Sequence, residues 1–461
     1  MKIIQSFWAA KQNYRETSFG WNLPRFHAIS WALSCIQLSK FYEVELYTDK
    51  LGYEFLIEKL KLPYSKVHVV LNDLDDFHKD FWALPKIKAY LVQNEPFLHV
   101  DGDVFIWEKF SDELLKSGII TQNLEITTEY YKAMWREIYP NLDFIPAEIE
   151  GYVSSKNNFA CNMGIFGGND LAFIQKYSRK SFEFAERNKK LSDKISGGNF
   201  NIFFEQVLLY EILQIENKES NFLIDEVSQD NEYTGFGNFD EVPFTRTYLH
   251  LLGFYKRVYS VCKLMEVYFI SYFPNIFKNV VELFSENYLS FNNSLKYEFS
   301  LEENIQRYNS FLDSSLNEAV DDNYLLNRDI SCIRQHEFLN DCITNDKNFL
   351  ISRLKGNMVE NISDEELMYN KNFHDSPDVR KVLIVEELNG EKSIIHIDDI
   401  DEIILEKLEN EILYFDLKKQ MLDLLDEDAQ EIYNDFLKMI NDRIIYYLKN
   451  RIIIVKNQKL A

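Results

Sequence analysis

Short apolar runs alternate with stretches of helical period through the first 260 positions of the chain. The runs predict strands at Lys2–Phe7, Glu43–Tyr47, Lys66–Val70, Phe97–Val100, Val104–Ile106, Gly118–Thr121 and Gly164–Phe166. Between them the period predicts helices, among them Arg25–Leu38, Gly52–Leu60, Ala83–Gln93 and Leu171–Asn188. Such alternation implies an α/β domain with a mostly parallel sheet, whose ligand sites lie at the carboxyl ends of strands.

From Val261 to Met368 the strands disappear and the pattern is helical, as in Glu302–Leu316 and Asn323–Ile343. Tyr369–Asp378 has the turn chemistry of a linker. Beyond it, Arg380–Glu386 and Lys392–Ile397 flank Leu388-Asn389-Gly390, and Asn-Gly between β-rich runs predicts a hairpin. Three helical patterns follow, Asp398–Asn410, Phe415–Leu425 and Ala429–Asn441. Arg443–Leu448 and Arg451–Val455 around Lys449-Asn450 predict a closing hairpin. The expected organisation is therefore a domain over 1–260, a helical extension and linker over 261–375, and a small winged-helix-like domain over 376–461.

Composition narrows the class. The 461 residues include 36 Phe, 27 Tyr and 6 Trp, enough to build a large aromatic core rather than a disordered chain. A net charge of −24 argues against a nucleic-acid partner, which would call for clustered Lys and Arg. The five cysteines are spread without metal-ligand spacing, the pattern of reduced thiols in a cytoplasmic protein. Met1–Trp8 turns polar too soon for a signal peptide. Val258–Phe277, the most apolar long window, is broken by Lys263, Glu266 and Pro274, so no transmembrane segment is expected. The Tyr and Phe of Tyr255–Phe277, with Arg257 and Lys263, suit packing against the core more than lying on a membrane.

The candidate chemistry starts at Asp101-Gly102-Asp103, where the apolar strand Phe97–Val100 delivers two carboxylates. Strand alternation would point both to one side, and Gly102 would let a ligand approach the backbone between them. Hard carboxylate oxygens suit Mg²⁺ or Mn²⁺, ions that complete their shells with phosphates and water. Three further elements follow in order: Asn162-Met163-Gly164 ahead of an apolar run, Glu205-Gln206 opening an apolar helix, and His250-Leu251-Leu252-Gly253-Phe254-Tyr255-Lys256.

Together these resemble the retaining nucleotide-sugar glycosyltransferases of the GT-A fold, family 8, the group of glycogenin and the lipopolysaccharide galactosyltransferases, in a divergent bacterial branch. The resemblance spans about residues 1–260 and rests on short motifs and their order. It implies that Asp101, Asp103 and His250 bind Mn²⁺ or Mg²⁺ and that Lys256, after Gly253, contacts the diphosphate. It further implies that Asn162, Gly164, Glu205 and Gln206 meet the donor sugar, and that Lys86 replaces a family arginine. The implied donor is a nucleoside diphosphate-sugar, with a UDP-sugar expected. Three positions depart from the family pattern: Arg257-Val258 replaces Pro-Trp, Glu205 replaces aspartate, and Gln5-Ser6-Phe7-Trp8 is not the usual nucleotide loop.

The residue types fit the chemistry on their own terms. A departing nucleoside diphosphate gathers negative charge, which a divalent cation and a lysine stabilise most in the transition state. Gln206 is a poor nucleophile, so retention implies same-face attack, with Glu205 and Gln206 orienting the sugar or steadying positive charge. Plainer readings stand beside these: Asn162 as a strand end, Glu205-Gln206 as helix-start polar residues, His250 as a core histidine, Lys88 as an equal to Lys86, and Asp49 as a helix cap. The acidic C-terminal domain is similar to peptide-recognition domains of enzymes that modify ribosomally made peptides, so the expected acceptor is a peptide or a glycan. Two rival functions remain: a non-catalytic binding protein on the same scaffold, and a haloacid dehalogenase-type phosphatase. The second fits less well, because Phe105 stands where that class has Thr or Val.

Overall fold

The computed structural model describes residues 1–456 except 151, 153–158, 196, 230–232, 234, 244–245, 285–321, 362–380, 387–391 and 426–431. The chain divides into two compact units, Met1–Met265 with Asn279–Phe284, and Glu266–Lys278 with Ser285–Ala461.

The first unit is a mixed α/β structure. Its strands are β1 (Lys2–Phe7), β2 (Val44–Thr48), β3 (Lys66–Val69), β4 (Phe97–Val100), β5 (Val104–Ile106), β6 (Ile120–Ile126), β7 (Phe159–Gly168), β8 (Asn221–Phe222), β9 (Ser228–Gln229) and β10 (Tyr248–His250). Eight of them form one sheet in the order β3-β2-β1-β4-β7-β6-β8, with β9 also against β6. All pairs are parallel except those made by β7, which runs against both β4 and β6. The inner strands β1 and β4 are buried on both faces, polar Gln5, Ser6 and His99 included, because helices cover the sheet. One such helix, Pro24–Ser39, starts on a proline whose missing N–H costs nothing in the first turn.

Strands β6 and β7 run past the expected Gly118–Thr121 and Gly164–Phe166. Polar residues broke the apolar pattern there, yet Gln122, Asn123, Glu125 and Asn162 are all buried. The remaining two strands, β5 and β10, pair antiparallel, with His250 opposite Val104. That ladder carries His250 to within one residue of Asp103.

The second unit has its own core, running from Tyr324 and Leu325 through Leu383 and Ile404 to Ile444 and Val455. Two antiparallel three-stranded sheets build it. One joins β11 (Leu350–Arg353), β15 (Ile412–Leu413) and β16 (Ile453–Lys456); the other joins β12 (Asn357–Asn361), β13 (Lys381–Glu386) and β14 (Lys392–Ile397). The strands β11 and β12 lie where only helices were expected. The β13–β14 pairing is the one expected, with Glu386 opposite Lys392, whereas Leu388-Asn389-Gly390, Glu302–Leu316 and Tyr369–Asp378 lie outside the described residues.

The closing hairpin is not formed. Arg443–Leu448 belongs to one helix, Tyr433–Lys449, and β16 pairs with β11 instead. Ile440, Ile444, Tyr447 and Leu448 are the buried residues of that helix, so a helical stripe outweighs the β-propensity of its Ile and Tyr.

No helix among the described residues is long and apolar enough to cross a membrane. The aromatic stretch around Val258–Phe277 packs inward, burying Cys262, Met265, Phe269 and Phe277. All five cysteines are buried.

Candidate metal centre

Asp101 and Asp103 flank a turn between β4 and β5, closed by the Val104 N–H donating to the Asp101 carbonyl at 3.1 Å. They share a side because of this turn, not through strand alternation. Each offers an oxygen to a group with His250 in which all three candidate ligand atoms lie within 4.8 Å of one another. Gly102 has a different role from the one expected. Trp31 covers it, so that a Cβ there would lie 2.4 Å from an indole carbon. Glycine is needed for packing, and no ligand approaches over that face.

Antiparallel β7 supplies the next layer. Its Gly164 carbonyl accepts the Asp101 N–H at 2.9 Å, and a Cβ on Gly164 would sit 2.5 Å from His250 Nδ1 and 2.4 Å from Gln122 Oε1. Gly164 thus makes room for the imidazole. His250 Nδ1 is 2.7 Å from Gln122 Oε1, an oxygen that also accepts from the Tyr248 hydroxyl at 2.6 Å. Because that oxygen only accepts, His250 carries its proton on Nδ1 and keeps the Nε2 lone pair for a ligand. Nε2 lies 3.5 Å from Asp103 Oδ1.

Two lysines complete the charge balance. Lys86 bridges Asp101 Oδ2 at 2.7 Å and Glu205 Oε1 at 2.9 Å, while Lys256 pairs with Asp103. Lys256 reaches it from a turn begun at Gly253, whose φ of +50° is one that glycine adopts without strain. Lys88 pairs with the exposed Asp73, so Lys86 is the lysine brought to the centre. Asp49 caps the helix at Lys50–Tyr53, accepting from the Gly52 N–H at 2.7 Å, and also takes the Ala9 N–H at 3.1 Å.

Burial sets the protonation pattern. It raises the Asp101 carboxyl despite the Lys86 ammonium, and it pushes Glu205 up to about 7. It opposes ionisation of Asp103 too, but the Lys256 ammonium paired with it holds that carboxyl well below the usual range. Burial would likewise lower Lys86, yet its two carboxylate partners hold it above the ordinary lysine value.

The sugar-side residues fall into two groups. Glu205 is fully buried within a π-helical turn, Phe203–Val207, and acts on Asp101 through Lys86. Asn162 is spent internally: its Nδ2 donates to Glu125 at 2.7 Å and to the Tyr233 hydroxyl at 3.0 Å, and its Oδ1 accepts the Gly164 N–H at 3.0 Å. Gln206 is half-buried, and its Oε1 accepts from the Tyr131 hydroxyl at 3.2 Å. Sequence reasoning missed Gln122, Glu125, Tyr131 and Tyr233. The signal for the first two was a polar run in the middle of an otherwise apolar strand.

Two carboxylate oxygens and an oriented imidazole nitrogen form a donor set that could hold a divalent cation. It would hold such an ion at the carboxyl end of β4, beside the one reversed strand. No curated protein matches the chain. Residues 1–283, which contain every residue of this centre, match the model of a family of unknown function, and the chain belongs to that family, DUF6734.

Proposed function

We propose that this protein is a metal-dependent, retaining glycosyltransferase of GT-A type that takes a sugar from a nucleoside diphosphate-sugar, with a UDP-sugar as the first donor to test. The observation that carries the reading is the meeting of Asp101, Asp103 and His250 within 4.8 Å, although His250 lies far from the acids in sequence. The sheet order, with a single reversed strand beside the aspartates, also supports it.

In this reading Asp101, Asp103 and His250 Nε2 hold Mn²⁺ or Mg²⁺, which supplies positive charge to the departing diphosphate. Lys256, flexible and only partly covered, swings from Asp103 to a phosphate oxygen and adds a second positive charge. Lys86 and Glu205 fix Asp101 from beneath. Gln206 faces the anomeric carbon, where an amide steadies developing positive charge without forming a covalent bond. The acceptor is a peptide or a glycan, and a peptide-holding role belongs to the second unit. Five buried thiols, spread without metal-ligand spacing, suit a cytoplasmic setting.

Release of nucleoside diphosphate from a panel of nucleotide sugars, with and without Mn²⁺, tests the proposal. The wild type should release it only with metal, and Asp103→Ala should lower the rate by about 10²-fold or more. Mn²⁺ binding without turnover of any donor would leave the non-catalytic scaffold as the better reading.

A further inference from the structure

Trp82 stands in the turn before the helix Leu84–Leu91 and is 46% exposed, whereas Trp8, Trp21, Trp31 and Trp135 are buried. Its position is nonetheless fixed. Its neighbours Phe81 and Ala83 are buried, and its indole N–H donates to the Gly198 carbonyl at 3.1 Å. The fully buried Asn201 ties the same two segments together. Its Nδ2 donates to the Asp80 carbonyl at 2.6 Å and the Gly198 carbonyl at 2.8 Å, and its Oδ1 accepts the Ala83 N–H at 2.9 Å. Lys86 Nζ, which pairs with Asp101 at 2.7 Å, lies over the indole ring, 5.8 Å from its centroid. On the Gly198 side there is room, because a Cβ on that glycine would meet no atom within 4 Å. A large apolar ring is thus held in one orientation and left in water beside the candidate metal centre, where covering it orders little that is not already ordered.

We propose that Trp82 is a stacking platform for a pyranose ring. A pyranose turns C–H groups to its faces and hydroxyls to its rim, so it covers an indole while those hydroxyls keep their hydrogen bonds. The choice of ligand rests on the proposed transferase reading. There Lys86 joins Asp101 to Glu205, the neighbour of Gln206 at the sugar end, whereas Lys256 on Asp103 marks the phosphate end. The pyranose is the donor's own sugar or a ring of a glycan acceptor, and the two leave different traces.

Labelling with 5-fluorotryptophan gives a ¹⁹F signal for each of the six tryptophans, and Trp82→Phe identifies that of Trp82 by its loss. With Mg²⁺ present, UDP is compared with UDP-glucose, UDP-galactose and UDP-N-acetylglucosamine, and methyl glucoside and methyl galactoside are then added to the UDP complex. A Trp82 shift with a UDP-sugar beyond that of UDP puts the donor's sugar on the ring, and a shift with a methyl glycoside puts an acceptor there. In turnover, Trp82→Ala should raise KM for that sugar about 3- to 10-fold, and Trp82→Phe should keep most of the affinity. A signal that no sugar moves beyond UDP itself, or an unchanged KM for donor and acceptor in Trp82→Ala, would overturn the platform. Turnover with an unmoved Trp82 signal would remove the platform and keep the transferase reading. A Trp82 shift with a saccharide but no release of nucleoside diphosphate would do the reverse.

Discussion

At the scale of single residues, the candidate ligands that come together were legible and the residues that support them were not. Asp101, Asp103 and His250 are chemically distinctive and stand in a recognisable order, whereas Gln122 acts through one oxygen that orients His250. The polar run around it marks Gln122 as unusual without naming its partner, which is 128 positions away. Gly164 reads as a sugar contact by analogy, yet its position against His250 gives a steric reason for glycine. Gly164→Ala should therefore push the imidazole off its site. Calorimetric titration with Mn²⁺ should show affinity reduced about 10- to 100-fold, the range for disturbing the supports of a metal ligand. Overpacking should add a stability cost of about 1–3 kcal/mol. Unaltered Mn²⁺ affinity would mean that His250 does not contribute to the centre.

At the scale of elements, the errors share one cause: tertiary burial overruled local pattern. Strand β6 seemed to stop at Thr121 because Gln122, Asn123 and Glu125 interrupt the apolar run, and those residues are polar because they support the site. The run Arg443–Leu448 is rich in β-formers, yet its buried stripe makes it a helix. By contrast β1, β4 and β5 were legible to the residue, since their short runs, mostly apolar and bounded by polar turns, leave little choice. The element that completes the centre is the short β5–β10 ladder, which a bound cation would tie to the Asp101–Asp103 turn. Mn²⁺ should accordingly slow amide exchange across Tyr248–Lys256 and stabilise the folded protein by about 2.7 kcal/mol at a hundred times its dissociation constant. His250→Ala should lose most of both effects. Protection spread evenly over the chain, or retained in that variant, would point to a cation bound elsewhere.

At the scale of the whole molecule, the family match over residues 1–283 covers nearly all of the first unit, and each unit holds a carboxyl whose shift is opposite in sign to that of the other. In the first, burial raises Glu205 to about 7, so the folded state holds a proton that the unfolded chain releases above about pH 4.5. Stability from this group is highest at the acidic end and falls as pH rises from about 4.5 to about 7. In the second, Asp398 caps the helix Asp399–Lys407 and pairs with Arg443, whose hydrogen bonds bring the Asp398 carboxyl down to about 2. That contribution is complete above about pH 4 and is lost between about pH 4 and pH 2. Denaturant unfolding of the metal-free full chain, followed by hydrogen exchange in peptides from each unit, separates the two. Comparing pH 5 with pH 7, the wild type should lose first-unit stability relative to Glu205→Gln by on the order of 1–3 kcal/mol, and the second unit should show no such difference. Below pH 4 the second unit should weaken, and Asp398→Asn should flatten that decline. If Glu205→Gln follows the wild type across pH 5 to 7, then Lys86 holds Glu205 as a full carboxylate throughout. The buried ion pair beneath Asp101 would then be a fixed strut whose charge does not change in the working range.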